Sequence, residues 1–397
     1  MRILLLDDDA FALRLAAHQL AKLGFHDVTT LDRPEEALER LERDVAEFEL
    51  ILLDLQMPGI DGIEFVRHLA RLRYTGGVAL ISGEDERILH TAHRLASAHD
   101  LKVLGALHKP ISPAQLESLL GATSNGARAG ARAPRKSYAA ERLAKAIAQG
   151  ELLNVYQPQV ELATGAVVGT ETLVRWQHPE DGMVFPDQFI PLAEEHGLID
   201  DLTRAVLEPA IVQAHAWEQQ GLGLHVGVNV SMDNLVSLDF PDFVAKRLAA
   251  TGTSHRSLVL EVTESRLMKN AVSALEILTR LRLKHVGLSI DDFGTGHSSL
   301  AQLRDIPFDE LKVDRGVVHG AAHDPANRAI LEGSLGMARQ LGMRTVGEGV
   351  EDREDWDLLR TLGCDLAQGY FIARPMRAEA LPAWKLEWDA KRGALTT

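Results

Sequence analysis

Short apolar runs alternate with amphipathic helical stretches along most of the chain, and this alternation limits its fold more than any other feature. In the first third the apolar runs are RILLL, LILLD, GVALIS and LKVLGAL, with helical stretches such as DGIEFVRHLARL between them. Strands and helices that alternate in this way form parallel sheets with helices on both faces. We therefore expect an α/β fold with a doubly wound parallel sheet in residues 1–120.

The alternation continues beyond residue 137 and is much longer there. Eight apolar runs follow one another in roughly 260 residues, which is the usual size of a (βα)8 barrel. We therefore expect a TIM-like barrel in residues 138–390. The runs are LLNVYQPQV, AVVGTETLVRW, LHVGVNVS, LVLEVTES, VGLSIDD, ELKVD, RTVGEG and DLAQGYFI.

A stretch without any amphipathic period separates the two regions. Residues 121–137, GATSNGARAGARAPRKS, are rich in Gly, Ala and Ser, as expected of a flexible linker. The simplest interpretation of its four basic residues is that they are solvated, although contact with nucleic acid or a membrane surface is a second interpretation. These residues are Arg128, Arg132, Arg135 and Lys136.

Charge and cysteine content restrict the classes of partner. The formal net charge of -15 and the pI of about 5.5 argue against a DNA-binding protein, because phosphate binding requires a basic face. The only cysteine, Cys364, excludes an intramolecular disulfide and fits a reducing compartment. The start, MRILLLDDDA, is not a signal peptide, and no apolar run approaches ~18 residues. We expect a cytoplasmic protein without membrane insertion.

The segment LSIDDFGTGHSSL, residues 288–300, places two adjacent carboxylates at the end of an apolar strand. Burying ionised carboxylates without partners costs several kcal/mol each. A cation is the simplest compensation for Asp291 and Asp292.

Other candidate strands of the second region also carry a polar residue near the carboxyl end, and in a barrel these ends meet at one mouth. Any one of these residues could be a cap, a surface ion pair or a turn residue. Together they form an oxygen-rich cluster that favours Mg²⁺ or Mn²⁺ over Zn²⁺. The residues are Glu171, Asn229, Glu261, Asp291, Asp292, Lys312, Glu348 and Gln368.

The motifs ETLVRW, NVS, LEVTE, DDFGTGHSSL, LKVDR, GEGVE and AQGYFIARP resemble those of the EAL domain, a family of cyclic di-GMP phosphodiesterases. The resemblance implies two Mg²⁺ or Mn²⁺ ions held by Glu171, Asn229, Glu261, Asp291 and Asp292. It also implies that Lys312 and Glu348 act on the attacking water and that Glu264 braces the loop after Asp292. Substrate contacts are implied for Gln157, Arg175, Glu351 and Gln368. Thr172 and His297 depart from the family pattern, which has Ala and Tyr there, and their effect stays open.

The first region places chemistry-bearing residues at the ends of its own strands. Asp7, Asp8 and Asp54 form an acidic cluster that would hold one Mg²⁺, with Asp54 as phosphoryl acceptor and with Ser82 and Lys109 on the phosphoryl oxygens. Singly, such residues are ordinary caps and turn residues, and we interpret Asp61 as a helix cap.

With the turn MPGIDG, this pattern resembles the receiver domain of response regulators and implies a flavodoxin-like fold. Ala106 stands where many receivers carry an aromatic residue, so the usual ring-flip relay is not expected.

Together the two resemblances imply a two-component response regulator that hydrolyses cyclic di-GMP to pGpG, with activity modulated by phosphorylation of Asp54. The phosphodonor would be a sensor histidine kinase or another donor, and we also expect a homo-oligomer. Two alternatives remain: a catalytically weak cyclic di-GMP-binding effector, and a receiver-controlled scaffold.

Overall fold

The chain forms two compact units in the computed structural model, Met1–Pro134 and Arg135–Thr397. The structure describes residues 1–83, 86–99, 101–109, 111–113, 115–117, 119–120, 138–263, 271–294 and 306–396. The linker predicted at 121–137 lies outside the described residues. The limits 1–120 and 138–390 stay predictions at the level of single residues.

The first unit has a parallel sheet with strand order β2-β1-β3-β4-β5 in its described residues, as expected of a doubly wound fold. Alternate residues of a strand face opposite sides, so Ile3 and Leu5 join one buried cluster while Leu4 and Leu6 join the other. The strands are β1 (Ile3–Leu6), β2 (Val28–Leu31), β3 (Leu50–Asp54), β4 (Gly77–Ser82) and β5 (Lys102–His108); the helices are α1 (Ala10–Lys22), α2 (Pro34–Arg43), α3 (Gly62–Arg71) and α4 (Glu86–Ala98).

The second unit is a closed barrel. Within the described residues eight strands form a ring in the order β6-β14-β13-β12-β11-β10-β9-β7, and β6 pairs with β7 to close it; β8 pairs only with β7. The expected TIM-like fold is confirmed. The strands are β6 (Leu152–Glu161), β7 (Val167–His178), β8 (Gly182–Val184), β9 (His225–Val230), β10 (Leu258–Thr263), β11 (Gly287–Phe293), β12 (Glu310–Val313), β13 (Arg344–Gly347) and β14 (Leu366–Ala367).

The barrel departs from a regular (βα)8 barrel at its first strand. Strand β6 is antiparallel to both β7 and β14, whereas the other described pairs of the ring are parallel. Only residues 162–166 connect β6 to β7. A parallel crossover needs a dozen residues or more, so this connection permits only a hairpin.

The helices of the second unit cover the outside of the barrel and share one apolar core with its strands. Helices α7 and α12 contribute the fully buried indoles of Trp217 and Trp356 to this core. Among the described helices, none is both long and apolar enough to cross a bilayer. The helices are α5 (Ala140–Ala148), α6 (Ile190–Glu195), α7 (Ile199–Gln219), α8 (Phe240–Thr251), α9 (Ala271–Leu283), α10 (Arg315–Val318), α11 (Pro325–Gln340), α12 (Arg353–Thr361), α13 (Leu381–Lys391) and α14 (Gly393–Thr396).

Candidate functional site

The side chain of Lys312 lies at the centre of the acidic residues inside the barrel. Lys312 is on β12 and is fully buried. Its Nζ lies 2.8 Å from Glu261 Oε2, 2.6 Å from Glu348 Oε1, 3.4 Å from Asp291 Oδ1 and 3.6 Å from Glu171 Oε2. The sequence placed these five residues at or near the carboxyl ends of strands. This placement is wrong for Glu171, which is the fifth of the twelve residues of β7, yet the structure brings all five together around one ammonium group.

Burial and charge act in opposite directions on the pKa values of this cluster. Burial raises the pKa of Glu261 and of Glu348 well above the usual range, and Lys312 offsets only part of that rise. Burial alone would lower the pKa of Lys312, but the surrounding carboxylates reverse this effect and raise it. Lys312 therefore stays protonated, while the carboxylates outnumber the positive charge available to them.

A local irregularity of β11 explains how two adjacent aspartates can serve one site. Neighbouring residues of a regular strand point to opposite faces. The pairing of β11 with β12 shifts between Ile290 and Phe293, and Asp292 has a φ of 58°. The left-handed backbone turns the chain so that oxygens of Asp291, Asp292 and Glu348 lie within 4.8 Å of one another. Burial, followed by the charge of Asp291, raises the pKa of Asp292 to about 6.

The carboxylate of Glu171 is held by two side-chain amides. Asn229 Nδ2 donates to Glu171 Oε1 at 2.8 Å, and Gln368 Nε2 donates to Glu171 Oε2 at 2.5 Å. Gln368 Nε2 also lies 3.1 Å from Gln157 Oε1, and Gln157 Nε2 donates to the carbonyl of Ala373 at 3.0 Å. The orientation of Glu171 is therefore fixed by neighbouring strands.

The donor set of this site fits hard divalent cations. Its predicted ligands are carboxylates and one amide, the groups that Mg²⁺ and Mn²⁺ prefer. One oxygen of Glu261, Oε1, is buried and has no hydrogen-bond partner among the described residues. An orphaned buried oxygen in an acidic cluster is the feature that a bound cation would satisfy.

Two of the predicted substrate contacts lie apart from this network. The guanidinium of Arg175 donates to the carbonyl of Val174 and stacks on Phe185, with 5.0 Å between its central carbon and the ring centroid. Glu351 pairs with Arg315 at 2.5 Å. Glu264, the predicted brace of the loop after Asp292, and His297, which departs from the family pattern, lie outside the described residues.

The threonine that departs from the family pattern points away from the site. Thr172 follows Glu171 on β7, so its side chain faces the outside of the barrel wall. Thr172 is buried there, and its Oγ1 has no hydrogen-bond partner among the described residues.

The acidic cluster of the first unit has the same organisation around a lysine. Lys109 Nζ lies 2.7 Å from Asp7 Oδ2 and 2.8 Å from Asp54 Oδ2. Oxygens of Asp7, Asp8 and Asp54 lie within 4.8 Å of one another. Burial raises the pKa of Asp54, although Lys109 acts against that rise. Carboxylates this close could hold one divalent ion beside the proposed phosphoryl acceptor.

The structure also describes Ser82, Asp61 and Ala106 in the first unit. Ser82 ends β4, its carbonyl accepts a hydrogen bond from the Lys109 amide at 2.8 Å, and it borders a cavity of about 700 Å³ together with Asp8. Asp61 caps α3 by accepting from Glu64 N, as expected. Ala106 lies exposed on β5.

Sequence reasoning missed two polar residues inside the barrel, Gln159 and His225. Gln159 lies two residues after Gln157 on β6, and this spacing places both on the inner face. His225 is the first residue of β9. The i, i+2 spacing of Gln157 and Gln159 was a signal that could have identified Gln159. Neither Gln159 nor His225 stands at the carboxyl end of a strand, where the other site residues were sought.

Comparison with protein families assigns each unit. The family model of the response regulator receiver domain matches residues 3–121, and that of the EAL domain matches residues 140–375. The cyclic di-GMP phosphodiesterase RocR of Pseudomonas aeruginosa is 32% identical over 381 residues, which cover 95% of this chain and 96% of RocR.

A second relative matches a shorter part of the chain. The bifunctional diguanylate cyclase/cyclic di-GMP phosphodiesterase MucR of Pseudomonas aeruginosa is 40% identical over 242 residues, which are 61% of this chain and 35% of MucR. The chain therefore spans about a third of MucR. The solved structure of the MucR phosphodiesterase in complex with c-di-GMP is 40% identical to this chain and aligns with a TM-score of 0.58. The alignment covers 61% of this chain and 98% of the solved chain.

Proposed function

Because the chain belongs to the EAL-domain family and carries a response regulator receiver domain before its EAL domain, we propose that it is a response regulator that hydrolyses cyclic di-GMP to linear pGpG. The observation that carries this proposal is the geometry at the bulge of β11, where Asp291, Asp292 and Glu348 approach one another beside Lys312. The relatives RocR and MucR bear the corresponding activity in their names.

The proposed cofactors of the barrel are two Mg²⁺ or Mn²⁺ ions. Their proposed ligands are Glu171, Asn229, Glu261, Asp291 and Asp292. When bound, such ions activate water and stabilise the leaving oxygen of a phosphodiester. The oxygen-rich donor set and the orphaned Oε1 of Glu261 support this assignment.

The proposed catalytic residues are Lys312 and Glu348. Lys312 is protonated and can donate a hydrogen bond to the attacking water. Glu348, whose carboxylate lies 2.6 Å from Lys312 Nζ, can accept the proton of that water. Its raised pKa makes it a stronger base than an exposed glutamate. Attack forms a P–O bond to water and breaks the P–O3′ bond, which leaves a 5′-phosphate on the linear dinucleotide.

The substrate contacts proposed for the barrel are Gln157, Arg175, Glu351 and Gln368. Gln157 and Gln368 reach the site through the amide network around Glu171. Arg175 and Glu351 lie outside that network, where Arg175 stacks on Phe185 and Glu351 pairs with Arg315.

The receiver is proposed to control this activity through Asp54. A phosphodonor, for example a sensor histidine kinase, would transfer a phosphoryl group to Asp54, with one Mg²⁺ at Asp7, Asp8 and Asp54. Lys109, already 2.8 Å from Asp54, and Ser82 would contact the phosphoryl oxygens. A homo-oligomer and a cytoplasmic location stay predictions.

The test uses the purified full chain with cyclic di-GMP and Mg²⁺, with and without an acyl phosphate donor, and measures pGpG by chromatography. We expect hydrolysis in Mg²⁺ or Mn²⁺, and little in Ca²⁺, whose looser coordination orients water less well. Glu171→Ala and Asp291→Ala should abolish turnover without unfolding the barrel. If the folded protein binds cyclic di-GMP in Mg²⁺ and in Mn²⁺ but does not cleave it, the effector alternative replaces the enzyme.

A further inference from the structure

A chain of buried hydrogen bonds extends from Glu171 toward the opposite end of the barrel. Gln368 Nε2 donates to Glu171 Oε2, Gln159 Nε2 donates to Gln368 Oε1 at 2.9 Å, and His225 Nε2 lies 2.9 Å from Gln159 Oε1. Gln159 is 1% exposed and Gln368 4%. This series of hydrogen bonds therefore links a proposed metal ligand to the first residue of β9 through two glutamines that are shielded from water.

The carboxylate at one end fixes the direction of every bond in this chain. A carboxylate of Glu171 only accepts, so Gln368 must turn its nitrogen toward it and its oxygen toward Gln159. Gln159 must then turn its nitrogen toward Gln368 and its oxygen toward His225. His225 has to donate from Nε2. Burial, followed by the charge of Arg344, lowers the pKa of His225 to about 4, although a hydrogen bond with the backbone of Val168 acts against this, so the ring is neutral at pH 7. The direction of the glutamines then assigns its single proton to Nε2.

The barrel wall is built to admit the imidazole. A Cβ at position 169 would lie 2.1 Å from His225 Nε2, so only glycine leaves room for the ring beside β7. The ring also borders a cavity of about 710 Å³ lined by first residues of several strands. Gly169 pairs in register with both Gln159 and His225, which brings the donor and the acceptor face to face.

We propose that Gln159 and His225 are positioning residues that keep the Gln368 nitrogen directed at Glu171 and thereby orient this carboxylate for a divalent cation. The inference rests on the proposed function. If Gln368 turned over, its oxygen would face the carboxylate and repel it. Groups that orient a metal ligand through hydrogen bonds typically contribute ten- to hundredfold to metal affinity.

Some variants oppose the direction of these hydrogen bonds, and others only remove one of them. In Gln159→Glu the new carboxylate can accept from His225 but cannot donate to Gln368, so Gln368 Oε1 faces a negative charge and its orientation depends on the contacts of Nε2 with Glu171 and Gln157 alone. His225→Leu removes the terminal donor. His225→Gln places an amide nitrogen at a reach similar to that of Nε2 and restores the donor. Thr253→Val is the matched control, because it removes a buried hydrogen bond to the carbonyl of Ile211, which is not part of the series from Glu171 to His225.

The experiment measures Mn²⁺ affinity of the full chain by calorimetry, together with kcat, KM and the melting temperature. All substitutions lie in the barrel, so Mn²⁺ binding by the receiver is the same in every variant. Differences in Mn²⁺ affinity between variants therefore come from the barrel. We expect Gln159→Glu and His225→Leu to lower Mn²⁺ affinity about tenfold or more and to lower kcat with little change in KM. His225→Gln should stay within about twofold of the wild type. Thr253→Val should lower the melting temperature without changing affinity.

Two outcomes would overturn the inference while leaving the proposed function intact. One is a folded Gln159→Glu variant with wild-type Mn²⁺ affinity; the other is His225→Gln and His225→Leu with equal losses. Failure of the wild type to cleave cyclic di-GMP would overturn the proposed function, yet the Mn²⁺ affinities would still test the positioning role. A wild-type barrel that binds neither Mn²⁺ nor Mg²⁺ would overturn both.

Discussion

Lys312 is the residue on which the charge balance of the barrel mouth depends. It is the buried cation among four carboxylates, and we propose that it acts on the attacking water rather than on the substrate. Lys312→Ala should therefore lower kcat far more than it raises KM. Steady-state kinetics with cyclic di-GMP check this expectation. The control is Lys385→Ala, since the ion pair that Lys385 makes among the described residues is the i, i+4 pair with Asp389 on α13. A change confined to KM would make Lys312 a phosphate contact instead.

His225 should make the barrel less stable in mild acid. Its pKa is lowered to about 4 in the folded protein by burial, against about 6.5 when unfolded. Between these values the unfolded chain binds a proton that the folded chain does not. The stability that neutral His225 contributes is therefore complete above pH 6.5 and declines as the pH falls toward 4, with a slope approaching about 1.4 kcal/mol per pH unit.

His225→Gln lacks this titration and should show a flatter dependence of unfolding free energy on pH. Urea denaturation of both proteins in EDTA at pH 7.5, 6 and 5 measures the difference. All five tryptophans lie at position 176 or later, so their fluorescence reports the barrel alone. Parallel curves for the two proteins would contradict the buried, neutral state of His225.

Single residues at strand ends were predictable because the barrel mouth collects the carboxyl ends of its strands. Position in the sequence therefore indicated that Glu171, Glu261 and Lys312 meet. Gln159 and His225 were not predictable in the same way. A polar residue within a strand can face the barrel interior or the helices, and its partner depends on the register between strands, which the apolar pattern does not specify.

The bulge of β11 is the element in which function and stability oppose each other. Asp292 has a φ of 58°, a conformation that costs about 1–2 kcal/mol for most residues other than glycine and less for aspartate and asparagine. It also adds a second negative charge beside Asp291. Asp292→Gly removes both costs, so it should raise the unfolding free energy in EDTA by about 1 kcal/mol or more. The same change removes a proposed metal ligand and should abolish hydrolysis.

Denaturation followed by tryptophan fluorescence, paired with an assay of pGpG release, tests this trade-off. Asp292→Asn is the matched control, because asparagine tolerates the left-handed conformation without the charge. Asp292→Val should be the least stable variant, since a β-branched residue fits this conformation poorly. An order of stability with valine above glycine would show that the bulge is not strained.

Elements were predictable to the extent that their signals are local. The eight strands of the barrel ring and four of the five receiver strands follow from the alternation of apolar and amphipathic segments. The exception is β2, whose half-exposed residues VTTL give little apolar signal. The antiparallel direction of β6 does not follow from apolar pattern at all. Its signal is the length of a connection, the five residues 162–166, which is too short for a crossover.

At the scale of the whole molecule, each unit has its own apolar core, so each can be altered without removing the core of the other. Phosphorylation of Asp54 would replace its single carboxylate charge with roughly two phosphoryl charges beside Lys109 and Ser82. Ala106 cannot act as an aromatic relay, so a signal has to leave the receiver by another route, for which we propose movement of its loops.

We predict that the acyl phosphate donor changes kcat more than KM and that the sign is activation, because a site with its full set of ligands needs a reason to be held back. Asp54→Asn should lose this response and keep basal hydrolysis, since Asp54 lies in a unit that the barrel chemistry does not use. Asp44→Asn is the control, because Asp44 is exposed at the end of α2 and accepts from the amide of Ala46. Deletion of residues 1–120 then tests whether the receiver regulates catalysis or serves assembly. If the isolated barrel has the same rate as both the unphosphorylated and the phosphorylated full chain, the receiver does not regulate catalysis.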